Sequence, residues 1–131
     1  MGPNRERVDV IYDTGSAEYV CAVSTCKGCR GIKKYDFTEE QKVYGTYRAL
    51  PGTDGVHRYG DGTTLKGHQV LDTVCLLDDP NACVNSFKWF AITEASGGLG
   101  ENESGILGLA AGNTDWKEWG NYQLLVPTLY K

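Results

Sequence analysis

The sequence predicts an all-β fold of the barrel or sandwich type, and three observations lead to this prediction. Glycine is abundant, with 17 residues in a chain of 131, which is typical of folds with many turns. Short segments rich in β-branched and aromatic residues recur along the chain, with turn-forming residues between them. No repeat, low-complexity tract or change of composition marks a boundary, so we expect one domain over residues 1–131.

The β-prone segments follow one another with turns or loops between them. Strands are predicted at residues 8–12, 19–23, 43–47, 87–93 and 106–109. Residues 57–74 are predicted to form a hairpin, and its returning strand is predicted at residues 69–77. The connecting segments are a turn at 13–16, a polar loop at 24–42, the hairpin tip at or near 59–62 and a glycine-rich loop at 95–105. The tail, residues 116–131, is expected to include a short helix.

Charge and hydropathy exclude several partners. The formal net charge is −4, whereas proteins that bind nucleic acids or anionic membranes present basic patches, so neither partner is expected. No apolar run approaches the length of a membrane span. The residues after Met1 are polar and charged, so no signal peptide is visible in this chain.

Five cysteines allow two interpretations. A zinc site would use Cys26 and Cys29 as one ligand pair and Cys75 and Cys83 as the other. The second pair has seven residues between its members, where a zinc knuckle has about two to four. The alternative is two disulfides, Cys26–Cys29 and Cys75–Cys83, formed in an oxidising compartment. We favour the disulfides and predict no metal, which leaves Cys21 as a small buried apolar residue.

The segment with the most direct chemical meaning is Asp13-Thr14-Gly15-Ser16, which comes directly after a predicted strand. Backbone N–H groups and hydroxyls in such a turn can hold a carboxylate in place. The same residue types also form ordinary turns. The tetrapeptide alone therefore leaves a functional and a purely structural interpretation open.

Four ordered segments together resemble the N-terminal lobe of the pepsin-type aspartic proteases. They are Asp13-Thr14-Gly15-Ser16, Tyr35-Asp36-Phe37, Tyr59-Gly60-Asp61-Gly62-Thr63 with Leu71-Asp72-Thr73-Val74, and Phe90-Ala91-Ile92-Thr93-Glu94 with Ser104-Gly105-Ile106-Leu107-Gly108-Leu109. In that family these segments are the active-site turn, the segment before the flap, the flap hairpin with its return strand, and the apolar segment behind the turn. The resemblance covers nearly the whole chain, and four ordered matches are far more specific than one motif.

The resemblance implies an all-β pepsin-like lobe and an aspartic endopeptidase that acts at acid pH. Such enzymes use two carboxylates that share one proton, because two like charges at close range cannot both ionise cheaply. One carboxylate activates a water molecule, and the other polarises the carbonyl of the scissile peptide bond. Asp13 is the expected catalytic carboxylate of this lobe, and Thr14, Gly15 and Ser16 form its turn. No cofactor is implied.

The same resemblance assigns the parts that hold the substrate. The expected flap residues are Tyr59, Gly60, Asp61 and Gly62. A flap of this kind closes over the substrate and excludes water. Ile11 and Ile106 are expected to line an apolar pocket on the N-terminal side of the substrate.

The chain departs from the family's pattern at the residue that anchors the flap tyrosine, which is usually Trp. Val20 occupies that position when residues are counted without gaps, and Tyr19 occupies it if one residue is deleted. The resemblance therefore does not identify what holds Tyr59. His57 and His68 have no metal-ligand spacing and are expected to be surface or hairpin residues.

The chain contains one Asp-Thr-Gly and no second. We therefore expect residues 1–131 to be a single N-terminal lobe, inactive by itself, whose partners are a peptide or protein substrate and a C-terminal lobe with the second Asp. The expected location is the secretory pathway, as an extracellular, lysosomal or vacuolar protein. Two alternatives are a homodimeric, retropepsin-like protease in which two Asp13 residues meet, and an inert peptide-binding lobe or inhibitor-like module.

Overall fold

The described part of the chain consists almost entirely of β-strands. The computed structural model describes residues 1–2, 7–29, 34–37, 47–60, 62–76, 81–97, 103–109, 118–119, 122–123, 125 and 129. Its strands are β1 (Val10–Asp13), β2 (Tyr19–Lys27), β3 (Arg48–Ala49), β4 (Gly55–Arg58), β5 (Thr64–Cys75), β6 (Cys83–Ser96), β7 (Gly105–Gly108), β8 (Glu118–Trp119) and β9 (Tyr122–Gln123). The all-β prediction is confirmed. Within these ranges, no helix is long and apolar enough to cross a membrane.

Seven of these strands form one open mixed sheet. Its order is β1-β7-β2-β6-β5-β3, and β4 pairs with β5 beside β3, while β8 and β9 form a separate two-stranded sheet. The β1–β7 and β2–β6 pairs are parallel, and the other pairs are antiparallel. The long strands β5 and β6 form the centre of the sheet, and β1 lies at its edge.

The strands β1 and β2 are consecutive in sequence but are not neighbours in the sheet, because β7 lies between them. Asp13, the last residue of β1, pairs with Gly108 of β7. Two glycines of β7 permit this close insertion. A Cβ atom on Gly105 would lie 1.9 Å from the carbonyl oxygen of Val20, and one on Gly108 would lie 2.4 Å from the carbonyl carbon of Ala17. The turn between β1 and β2 therefore crosses directly over the end of β7.

Side chains alternate between the two faces of the sheet, and each face carries a buried cluster. The larger cluster includes Tyr19, Cys21, Tyr35, Tyr47, Val70, Trp89 and Leu107. The smaller cluster consists of Val20, Ala22, Cys26, Cys29, Leu65, Phe90, Ile92 and Ile106. Tyr59 packs against the smaller cluster, so the predicted flap lies on that face of the sheet.

Several strands are longer than their sequence patterns predicted. The strand predicted at residues 19–23 continues to Lys27, and the strand predicted at 87–93 spans Cys83–Ser96. Both extend through polar residues because pairing with a neighbouring strand satisfies the backbone there, whatever the side chains are. The strand predicted at 43–47 and the short helix predicted in the tail fall mostly outside the described residues.

Both predicted disulfides are present. Cys26 is bonded to Cys29, and Cys75 is bonded to Cys83. The second bond joins β5 to β6 at residues that pair in register. Cys21 is a buried free thiol. Because the four other sulfurs are bonded in pairs, they do not provide thiolate ligands, and the structure does not support the zinc interpretation.

A buried carboxylate ties the segment 34–37 to β5. Tyr35 donates a hydrogen bond from its hydroxyl to Oδ2 of Asp72, with an O–O distance of 2.5 Å, and the backbone N–H of Thr73 donates to Oδ1. Burial and the nearby charge of Asp72 raise the pKa of Tyr47, which packs beside Tyr35. Tyr47 is therefore a neutral phenol at ordinary pH, and both side-chain oxygens of Asp72 accept a hydrogen bond.

We expect the substitution Tyr35→Phe to lower the free energy of unfolding by about 1.5–3 kcal/mol, because it removes a hydrogen bond to a buried carboxylate. Urea denaturation followed by circular dichroism measures this change. Tyr12→Phe is the control, since Tyr12 is 67 % exposed. An equal effect of the two substitutions would contradict the structural role of the Tyr35 hydroxyl.

Candidate active site

Asp13 is fixed at the end of β1 through both its backbone and its side chain. Its carbonyl oxygen accepts a hydrogen bond of 2.7 Å from the backbone N–H of Leu109. Its carboxylate oxygen Oδ1 accepts one of 2.9 Å from the backbone N–H of Gly15. The residue is partly exposed. The carboxylate is thus held in one orientation while remaining accessible to solvent.

The residues that follow Asp13 form a narrow turn. A Cβ atom on Gly15 would lie 3.3 Å from Oδ1 of Asp13, so a side chain there would crowd the carboxylate. Thr14 is exposed. The hydroxyl oxygen of Ser16 is buried and has no hydrogen-bond partner among the described residues.

The predicted flap is a hairpin formed by β4 and β5. Its tip is closed by two backbone hydrogen bonds, from Tyr59 N–H to the Thr63 carbonyl at 2.9 Å and from Gly62 N–H to the Tyr59 carbonyl at 3.0 Å. Gly62 has a φ of 90°, a conformation that favours glycine. Gly60 is exposed, and Asp61 lies outside the described residues. The hairpin predicted from the sequence is therefore present, with Tyr59 at its tip.

A cleft of about 270 Å³ separates the turn after Asp13 from this hairpin. The turn contributes one wall and the hairpin the other. The lining residues are Gly15, Ser16, Ala17, Glu18, His57, Arg58 and Tyr59. Two segments that are far apart in the sequence, the turn after Asp13 and the predicted flap, thus face the same space.

Glu18 and His57 come into contact between the two walls of the cleft. Nε2 of His57 lies 2.7 Å from Oε2 of Glu18, and their side chains are 19 % and 4 % exposed respectively. Gln69 Nε2 donates to the other carboxylate oxygen, Oε1, at 3.5 Å. The sequence alone predicted no role for Glu18, and it predicted His57 only to be a surface or hairpin residue. No periodicity or motif links two residues so far apart in the chain, so the sequence gives no sign of this contact.

Comparison with protein families shows that the profile described as "Eukaryotic aspartyl protease" matches residues 1–128. The chain belongs to the eukaryotic aspartyl protease family. The match includes β1, the turn after Asp13, the predicted flap and β7. A comparison with curated proteins gave no match.

Of the two predicted pocket residues of this aspartyl protease chain, one is buried and the other is exposed. Ile11 of β1 pairs with Ile106 of β7. Ile106 is 8 % exposed and belongs to the smaller core cluster, whereas Ile11 is 40 % exposed at the sheet edge. Neither lines the cleft between turn and flap. Their role in an apolar substrate pocket stays a prediction.

The two residues that align with the family's flap-anchoring Trp are both buried, and neither supplies a comparable hydrogen bond. Val20 lies in the smaller cluster and has no polar side-chain atom. Tyr19 lies in the larger cluster, where its hydroxyl donates to the sulfur of Met1 at 3.2 Å. Burial raises the pKa of Tyr19 well above its ordinary value. The aspartyl protease chain therefore lacks the usual anchor at this position.

We expect Gly108→Ala to destabilise the protein by about 1–3 kcal/mol, because the new methyl group would overlap backbone atoms of Ala17 and Glu18. Thermal unfolding at several denaturant concentrations measures this loss. The matched control is Gly60→Ala, since a Cβ atom there would have no atom within 4 Å. A Gly108→Ala protein as stable as the control would contradict the close packing of β7 against the turn.

Proposed function

We propose that this chain is the N-terminal lobe of a two-lobed aspartic endopeptidase and that Asp13 is one of its two catalytic carboxylates. Its membership of the aspartyl protease family supports peptide-bond hydrolysis as the general activity. The observation that carries the finer proposal is the cleft that the turn after Asp13 and the hairpin bearing Tyr59 line together. A peptide bound there would lie beside the turn and beneath the hairpin tip.

The proposed mechanism uses two carboxyl groups, one ionised and one protonated. The ionised carboxylate removes a proton from a water molecule, whose oxygen attacks the carbonyl carbon of the peptide bond. The protonated carboxylate donates to the carbonyl oxygen, and the C–N bond breaks as the amine leaves with a proton. The hydrogen bond from Gly15 N–H to Oδ1 of Asp13 would hold this carboxylate in a fixed orientation toward its partner.

Three exposed apolar side chains beside Asp13 would be available to contact a second lobe. On the edge strand β1 and just after β7, Ile11, Tyr12 and Leu109 are 40 %, 67 % and 39 % exposed. Neighbouring exposed apolar side chains of this kind are typical of contact surfaces. The hydroxyl of Ser16, in the same turn, is buried and has no hydrogen-bond partner among the described residues, and a bound water or substrate amide would satisfy it.

The proposed location is the secretory pathway, in an extracellular, lysosomal or vacuolar compartment. Two disulfides support it, because such bonds persist in oxidising compartments and are rare in the cytosol.

The test compares the chain alone with the chain joined to the polypeptide encoded after residue 131 in its gene. We expect acid-dependent cleavage of a peptide library, blocked by a statine-type inhibitor, in the joined protein only. Asp13→Asn should lower kcat by about a thousandfold or more with little change in KM. Asp9→Asn is the control, since Asp9 is an exposed carboxylate that precedes β1.

Two results would contradict this proposal in different ways. Cleavage by a dimer of the isolated chain, abolished by Asp13→Asn, would support the homodimeric protease instead. Inhibitor binding without cleavage in the joined protein would support an inert peptide-binding lobe.

A further inference from the structure

The outer strand of the flap hairpin has few partners of its own. The strand β4 has four residues, and in the described sheet it pairs with β5 alone. A short strand paired on one side is marginally stable by itself. By contrast, β5 is paired with β6 along nearly its whole length. Any movement of the flap relative to the sheet would therefore begin at β4 and at the tip that follows it.

We propose that Glu18 and His57 are positioning residues, and that the contact between their side chains fastens the flap to the active-site turn in place of the usual aromatic anchor. Glu18 follows the turn immediately, and His57 lies in β4, two residues before Tyr59. Their contact at 2.7 Å bridges the two walls of the cleft. The effect of this anchor on catalysis rests on the proposed function, but the anchor itself does not.

Burial shields the contact between Glu18 and His57 from solvent. Glu18 is 4 % exposed and His57 19 % exposed, so water and salt screen their interaction only weakly. A buried carboxylate that lost its partner would be left uncompensated, which is costly. Gln69 of β5 contacts the same carboxylate, so both strands of the hairpin meet at Glu18.

Aromatic contacts transmit the position of His57 to the flap tip. The edge of the His57 ring meets Phe90 of β6 at a centroid distance of 4.4 Å and an interplanar angle of 77°. The ring of Tyr59 lies at a centroid distance of 6.5 Å from the His57 ring, with an interplanar angle of 27°. Residues two apart in a strand lie on the same face. Fixing His57 against Glu18 and Phe90 therefore restricts where Tyr59 can lie over the cleft.

The need for such an anchor follows from the residues around the flap. Val20 offers no polar atom, and the hydroxyl of Tyr19 is directed to Met1 on the other face of the sheet. Gly60 and Gly62 at the tip carry no side chains with which to contact the turn. The contact of Glu18 with His57 joins the turn to β4 directly, and it is the polar link of the proposed anchor.

The test measures amide hydrogen exchange by NMR in this chain, comparing the wild type with Glu18→Gln, His57→Gln and the double variant. We expect the β4 amides to exchange about tenfold faster or more in each variant, with no change in the β6 amides. The double variant should resemble the single variants, since both substitutions remove one interaction. The control is His68→Gln, which replaces the half-buried histidine of β5.

Two outcomes would overturn the anchor. In one, β4 exchange is unchanged in all three variants. In the other, β4 and β6 exchange accelerate equally, which would mean that the pair stabilises the whole domain and not the flap. If a single variant does not fold, the double variant decides, because it leaves no unpaired charge in the cleft.

A second arm uses the two-lobed protein and the dissociation rate of a statine-type inhibitor. We expect Glu18→Gln to speed dissociation by about tenfold and His68→Gln to leave it unchanged. Equal dissociation rates in both variants would overturn the role of the anchor in substrate binding. The exchange measurement involves neither Asp13 nor catalysis, so unchanged β4 exchange would overturn the anchor alone. An Asp13→Asn protein that kept its activity would overturn the proposed function alone.

Discussion

The arrangement of the site depends on the insertion of β7 between β1 and β2. Because β7 separates two strands that are joined by a short turn, the chain must cross the end of β7 at residues 14–18, and Asp13 lies at the start of this crossing. The insertion is possible only where β7 has no side chains, at Gly105 and Gly108. A constraint on backbone packing therefore places the carboxylate, and the hydrogen bond from Gly15 only orients it.

The two faces of the sheet have different tasks. The face with Tyr19, Trp89 and the Tyr35–Asp72 hydrogen bond is closed by aromatic residues and serves stability. The other face has a smaller apolar cluster, and above it polar residues enter the cleft. Side chains at successive positions of β2 point to opposite faces of the sheet, so neighbouring residues of this strand belong to different clusters. The cleft between the turn and the predicted flap is therefore built on the face with the smaller core.

Local sequence signals predicted the elements that carry the site but not the contacts between them. The alternation before Asp13, the glycines after Tyr59 and the apolar run at residues 106–109 indicated β1, the flap and β7, because each pattern lies within a few residues. The extent of β2 and β6 could not be predicted, since their ends are set by pairing with neighbours and not by their own side chains. The contact of Glu18 with His57 depends on the register of strands that are distant in sequence. The same is true of the exposure of Ile11, which follows from the edge position of β1.

A flap held by a charge pair differs physically from one held by an aromatic hydrogen bond. An indole or phenol anchor is neutral and acts mainly through packing and one directed bond, so its strength changes little with solution conditions. Where His57 carries a second ring proton, its contact with Glu18 is an ion pair, and such a pair gains strength when water leaves the cleft, because the same charges interact more strongly at lower dielectric. Binding of a peptide in the cleft beside Glu18 and His57 would expel water from it. Closure over a substrate would then tighten the anchor that holds Tyr59 in place, so that substrate binding and flap ordering support each other.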